Sequence, residues 1–166
     1  MVIAETPRLK IRHFTAADTQ FTLQLLNEPS FINNIADREV RNERDALNYL
    51  VNGPIKSYQQ HGYGLFLVEG CTDGQAMGIC GLIYRQALQE TDIGFAFLPK
   101  FCRQGYATEA AKAVIHYGYN QLNLSRIIGL THAANVESIN LLSKLGLQYE
   151  KTVQLESSPR QVMLFS

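Results

Sequence analysis

The chain lacks an excess of either charge. Its 166 residues carry 15 Lys and Arg against 15 Asp and Glu, a formal net charge of +0. A protein that grips a nucleic-acid backbone needs a basic field to replace the counterions, so this balance argues against a nucleic-acid partner. Long apolar runs are also missing. No stretch approaches the ~18–20 apolar residues of a membrane-spanning helix, so no membrane partner is expected, and Met1 opens no signal-peptide pattern. Cysteine is scarce. Cys71, Cys80 and Cys102 make an odd number with no C-x-x-C pair. That argues against a disulfide framework or a zinc site and predicts a reducing cytoplasm. The four histidines, His13, His61, His116 and His132, lack metal-ligand spacing, so no metal is expected. There is no internal repeat, linker or low-complexity segment, and no full Walker or dinucleotide fingerprint. One domain, spanning 1–166, is expected at this length.

What is present is organised around residues 101–111, FCRQGYATEAA. They follow a short apolar run, IGFAFL at 93–98, and Pro99. Ala107, Ala110, Ala111, Val114, Gly118 and Leu122 then recur at spacings of three and four, one face of a helix. The stretch reads as strand, short loop, helix, with Gly105 at the helix mouth. The first turn of a helix has N–H groups without intrahelical partners, and with the dipole they suit an anion, phosphate above all. Gly105 lets the backbone approach such a guest. The same glycine also serves a plain strand-to-helix turn, and one glycine does not decide between the two.

In chain order, Leu9 and Ile11 alternate with charged neighbours over 5–12, a half-buried first strand. Thr15 is the candidate N-cap of a helix, with Asp18 in the capping-box place and Phe21, Leu25 and Leu26 on its buried face. Residues 29–37 read as irregular. A second helix is predicted over about 42–61, broken or kinked at Gly53-Pro54. Strands at 65–69, 76–84 and 90–98, joined by short turns, make an antiparallel meander that feeds the helix at Gly105. After that helix, residues 126–131 form a strand reached by a crossover, so it can lie parallel to 93–98. Asn135 caps a last helix, which buries Ile139, Leu142 and Leu145 and ends at Gly146. Strands at 149–155 and 161–165 close the chain around Ser157, Ser158 and Pro159. The apolar 161–165 strand is a candidate edge for pairing with a second copy, and both monomer and homodimer remain open.

The loop letters, Arg103 to Ala110, resemble the pyrophosphate loop of the GNAT acyltransferases, Q/R-x-x-G-x-G/A. They are closest to the branch written GKGYATEA, which includes the ribosomal-protein-alanine N-acetyltransferases and related small-molecule acetyltransferases. Cys102 departs from the motif's Gln or Arg, and Arg103 stands where the branch has Gly. The loop's backbone donors depend on neither side chain. The opening TPRLKIR…FTAADT resembles that branch's TpRLxLRpxtxxD. Asn135, Ser138, Lys144, Gly146 and Leu147 resemble its N-x-x-S-x-x-x-x-x-K-x-G-F.

The resemblance implies a single mixed α/β (α+β) domain: a mostly antiparallel sheet of about six to seven strands, flanked by about four helices, with a splayed parallel strand pair holding acetyl-CoA. It places the donor at Phe97, Leu98, Arg103, Gln104, Gly105, Tyr106, Ala107 and Thr108, with Asn135 and Ser138 beside the pantetheine. The backbone of 95–98 would polarise the thioester carbonyl. The acceptor would be a primary amine of a protein N-terminus or a small molecule, and it must lose a proton before or during attack. Glu90 and Asp92, alternate residues on one strand face, are the candidate bases, directly or through a water. Either is also readable as a solvated hairpin residue. Many family members protonate the departing thiolate with a Tyr seven residues after the helix Asn; here that position is Leu142. Ser138 resembles the hydroxyl that the ribosomal-protein branch uses. Bland readings stand beside these: an N-cap for Asn135, an ordinary first-turn residue for Ser138, and first-turn helix charge, set against phosphate, for Glu109. By the same resemblance Phe31, Ile32, Tyr49 and Tyr58 are acceptor-side candidates, though such residues more often fill a core. The missing Tyr and the altered Cys102-Arg103 pair also suit a non-catalytic acyl-CoA-binding regulator on the same fold.

Overall fold

A computed structural model describes residues 1–155 and 160–166. Ser157, Ser158 and Pro159, the expected closing turn, lie outside the described residues. The chain opens with two strands where one was expected, β1 (Val2–Glu5) and β2 (Leu9–Arg12), paired antiparallel. The break between them is chemical. Pro7 has no N–H for a ladder, and Thr6 closes the turn by donating its N–H to Leu9 O (2.8 Å) and accepting Leu9 N–H at Oγ1 (3.0 Å). Leu9 and Ile11 are fully buried, as their alternation predicts.

The Thr15 capping box forms. Thr15 Oγ1 accepts from Ala17 N–H (3.2 Å) and Asp18 Oδ2 accepts from Thr15 N–H (2.8 Å). It leads into α1 (Thr19–Leu26), which buries Leu25 and Leu26. Residues read as irregular hold a short helix, α2 (Pro29–Asn34). Proline in a helix's first turn wastes no hydrogen bond, and the buried Phe31 anchors the segment. Asn42 caps α3 (Glu43–Leu50). At Gly53-Pro54 the chain widens into one π-type turn, Val51–Ile55, and runs on as α4 (Lys56–His61). The missing proline N–H is absorbed by the wider turn without ending the helix.

The meander forms as β3 (Leu65–Gly70), β4 (Ala76–Arg85) and β5 (Glu90–Phe97). With β1 and β2 it makes a five-stranded antiparallel sheet in the order β1-β2-β3-β4-β5. The long helix α5 (Tyr106–Asn120) follows, burying Ala110, Ala111, Val114 and Gly118. A Cβ on Gly118 would lie 2.7 Å from Ile127 Cδ1, so any larger residue there would make that side chain shift. Then come β6 (Gly129–Thr131), α6 (Val136–Lys144), β7 (Tyr149–Gln154) and β8 (Gln161–Phe165). The last three strands form a second antiparallel sheet, β6-β8-β7. β8 is therefore the central strand, and its apolar residues face a core on a fully paired strand. The exposed edge belongs to β7, which corrects the expectation of an edge at 161–165. The side chains of α5 and α6 pack in one apolar cluster with Ile93 and Phe97; those of α1 to α3 pack in another with Phe14, Leu67, Ile79 and Leu98.

Candidate active site

The two sheets touch through one parallel bridge, between Asp92 of β5 and Ile128. Ile93 N–H donates to Ile128 O (2.8 Å), and Ile128 N–H donates to Thr91 O (2.9 Å). Beyond this point β6 pairs only with β8, and β5 pairs only with β4, among the described residues. The strands part, as expected for 93–98 and 126–131, but the ladder is a single bridge long. Backbone polarity alternates along a strand, so the step that turns Thr91 O and Ile93 N toward β6 also turns the Phe95 N–H toward it. That donor faces the opening.

Phe97 and Leu98 are buried at the end of this strand. A short turn, Pro99–Phe101, then leads to the loop. Arg103 and Gly105 both have left-handed backbones, φ +61° and +82°. Arg103, Gln104 and Gly105 are exposed, while Tyr106, Ala107 and Thr108 are half-buried. The first intrahelical bond runs from Glu109 N–H to Gly105 O (3.0 Å), and no side chain caps the helix. The N–H groups before it have no helical acceptor, and they point out of the start of a 15-residue helix. The strand, short loop and helix read from the letters, with Gly105 at the helix mouth, are present. Gln104 Nε2 turns back to Lys100 O (2.7 Å), and Arg103 Nη2 reaches Glu137 Oε1 of α6 (3.2 Å).

The two candidate bases are placed differently. Glu90 is half-buried and pairs with Arg126 Nε (3.1 Å), which also holds Glu150 of β7 (2.9 Å). This trio clasps the two sheets behind the bridge, on the side away from the opening. Asp92 sits at the bridge itself, 2% exposed, with Oδ2 held by Arg85 Nε at 2.5 Å. Burial pushes its carboxyl up to about 6 against the opposing pull of Arg85. A buried carboxylate poised near neutrality is what a general base requires.

Asn135 is an N-cap, its Oδ1 accepting Ser138 N–H (3.2 Å). Its amide NH2 and the half-buried Ser138 hydroxyl make no bond to protein among the described residues. Leu142, at the position of the usual Tyr, is buried against β6: the place of a Gly129 Cβ is 2.5 Å from Leu142 Cδ2. Of the acceptor-side candidates, Phe31 is core, and Tyr58 is fixed by Phe14 N–H, by Leu65 O and by a stack on His13 at 3.9 Å. Tyr49 and Ile32 are partly buried. An open cavity of about 340 Å³ beside the end of β5 is lined by Gln24, Glu28, Leu98, Pro99 and Lys100.

Two residues were given no role from the letters, although Arg8 belongs to the opening TPRLKIR match. Arg85, in a hairpin, is the partner of Asp92. Arg8 reaches from the β1–β2 turn to the loop, where Nη1 donates to Gln104 O (3.0 Å) and the guanidinium lies 4.2 Å over the Tyr106 ring. Glu109, read from the letters only as first-turn helix charge, is the residue that Arg8 pairs with, Nε to Oε2 at 2.7 Å.

Comparison with known proteins follows the same line. The family model described as the acetyltransferase (GNAT) domain matches residues 8–148. The uncharacterised protein YkkB of Bacillus subtilis (strain 168) is 29% identical over 158 residues, covering 93% of this chain and 90% of that protein. The uncharacterised N-acetyltransferase YnaD of the same organism is 29% identical over 146 residues, 87% of this chain and 82% of its own. The solved structure of RimL, a ribosomal L7/L12 alpha-N-protein acetyltransferase in complex with coenzyme A, superposes with a TM-score of 0.85 over 99% of this chain and 96% of that one, at 14% identity. At that identity the likeness concerns the fold.

Proposed function

Because the chain belongs to the GNAT family of acetyltransferases, we propose that it moves the acetyl group of acetyl-CoA to a primary amine, on a protein N-terminus or a small molecule, by direct attack on the thioester. One observation carries the reading. The gap that opens after the Asp92–Ile128 bridge and the unpaired N–H groups at the start of α5 lie at the two ends of one short segment, residues 93–105. A thioester in the gap and a pyrophosphate on the loop are then joined by a pantetheine arm running along 95–98.

In this reading the Phe95 N–H receives the thioester carbonyl oxygen and supports the oxyanion that forms as the amine adds. Asp92 takes the amine's proton through a water, and Arg85 keeps that carboxylate in place. The C–S bond then breaks and the thiolate leaves. Leu142 packs against β6, so the phenol that many family members carry at this position is not there to protonate the thiolate. A thiol of pKa about 8.5 leaves as thiolate without strong acid help, and Ser138 is the one hydroxyl that the family pattern offers. Asn135 orders water or the pantetheine amide with its free NH2. Glu90 belongs to the clasp with Arg126 and has no chemical step.

The test is acetyl-CoA turnover, followed as free thiol, across a panel of peptide α-amines, polyamines and aminoglycosides. Amine-dependent thiol release above the hydrolysis background supports the proposal. Tight coenzyme A binding with no release across the panel would contradict it.

A further inference from the structure

Glu109 raises a difficulty. A carboxylate in the first turn of α5 suits the helix dipole, yet it repels the phosphates that the same turn would receive. Its surroundings resolve the conflict. Glu109 Oε1 accepts from Thr6 Oγ1 (2.5 Å) and from Arg8 N–H (3.2 Å). Glu109 Oε2 accepts from Arg8 Nε (2.7 Å) and also lies 2.7 Å from Arg8 Nη2. All four donors come from the β1–β2 turn. The same guanidinium holds Gln104 O, covers Tyr106, and passes 3.3 Å from the place of a Gly105 Cβ. Arg8 thus touches the residues just before and just after Gly105, whose N–H groups would meet the guest.

On the reading that acetyl-CoA binds at this loop, we propose that Arg8 is a positioning residue for the donor: tied to Glu109, it cancels that carboxylate's charge and braces residues 104–106 in their anion-receiving shape. Arg8 acts through Glu109 and the loop. The charge it cancels is the one the pyrophosphate would otherwise have to overcome. Thr6 fixes the carboxylate from the other side, so the strap is anchored to the first sheet.

The strap makes a prediction that a direct phosphate contact does not. In Arg8→Met the guanidinium is gone and Glu109 is uncompensated. A charge in the first turn of a helix acts with about two- to fivefold effect. The Kd for coenzyme A, measured by calorimetry, should therefore rise about that much, and KM for acetyl-CoA should rise with it while kcat changes less than twofold. In Arg8→Met/Glu109→Gln the repelling charge is also gone, and Gln still accepts from Thr6. Most of the lost affinity should return. Pantetheine, which lacks the phosphates, should compete equally well against the wild type and both variants, a control that a damaged fold would fail. Recovery in the double variant supports the proposal. A double variant as weak as the single would overturn it, because the charge of Glu109 would then not be what Arg8 holds in check. Unchanged affinity in Arg8→Met would overturn it too. If the wild type binds no coenzyme A, the functional reading fails, a distinct result.

Discussion

Arg85 donates from Nε to Asp92 Oδ2 over 2.5 Å, and this pair closes the point where the two sheets begin to part. Burial outweighs the attraction of Arg85, so the carboxyl lies near 6, above the ~3.9 of an unperturbed aspartate. The sign follows. Folding favours the protonated form, so Asp92's contribution to stability is full below about pH 4 and is lost as pH rises through about 6. The base, by contrast, is the ionised form, which fills as pH rises through the same value.

If Asp92 is that base, kcat/KM for the amine should therefore fall below about pH 6, on top of the fall caused by amine protonation. Asp92→Asn should lower the rate by about 10² or more and remove that limb. Glu90→Gln should leave the limb in place. A pH profile in which Asp92→Asn keeps the limb at about 6, and Glu90→Gln loses it, would transfer the role to Glu90.

Arg103 should be replaceable with profit to stability. Its φ of +61° is left-handed, where a Cβ is strained by about 1–2 kcal/mol. Its ion pair with Glu137 joins side chains 85% and 71% exposed and contributes little. Arg103→Gly should raise the unfolding free energy by about 0.5–1 kcal/mol, after the entropy cost of glycine. Denaturant unfolding measures this, and a loss of stability would mean that the loop depends on the Arg103 side chain.

Leu142→Tyr tests the missing acid. Residue 142 is 1% exposed and already crowds the Gly129 backbone. Overpacking there should cost about 1–3 kcal/mol of stability without raising kcat. A variant of native stability with a faster rate would show that the helix can turn this position toward the cleft.

Much of this was legible from the letters. The alternation at Leu9 and Ile11, the Thr15–Asp18 capping box, the meander and the buried face of α5 follow from local period and cap chemistry, which the fold leaves untouched. The shape of the loop at Gly105 was legible because it rests on backbone geometry and on one glycine with positive φ. Three things were hidden. The strand read over 5–12 ran through the break at Pro7 and missed Val2–Glu5, whose half-exposed residues do not alternate as Leu9 and Ile11 do. Residues 29–34 looked irregular, because six residues offer no period and only the packing of Phe31 makes them a helix. The edge strand was misplaced, because an apolar strand such as β8 reads the same at an edge or in the middle until its neighbours are known. Among the site residues, Glu90 and Asp92 could be found but not separated. Their partners, Arg126 and Arg85, lie 36 and 7 positions away, and burial of the pair is a property of the fold. Arg8 stayed hidden for the same reason: it meets Glu109 across 101 positions.

The central claim is that the opening after Asp92 and the start of α5 together receive acetyl-CoA. Calorimetric titration of the protein with acetyl-CoA, beside Gly105→Glu, tests it most directly. Glu at that position adds a negative charge among the free N–H groups and forces a side chain into a left-handed backbone at φ +82°. Saturable one-to-one binding by the wild type, abolished in a folded Gly105→Glu variant, is the predicted result. A folded wild type that takes up no acetyl-CoA, or a variant that binds it as well as the wild type, would contradict the account.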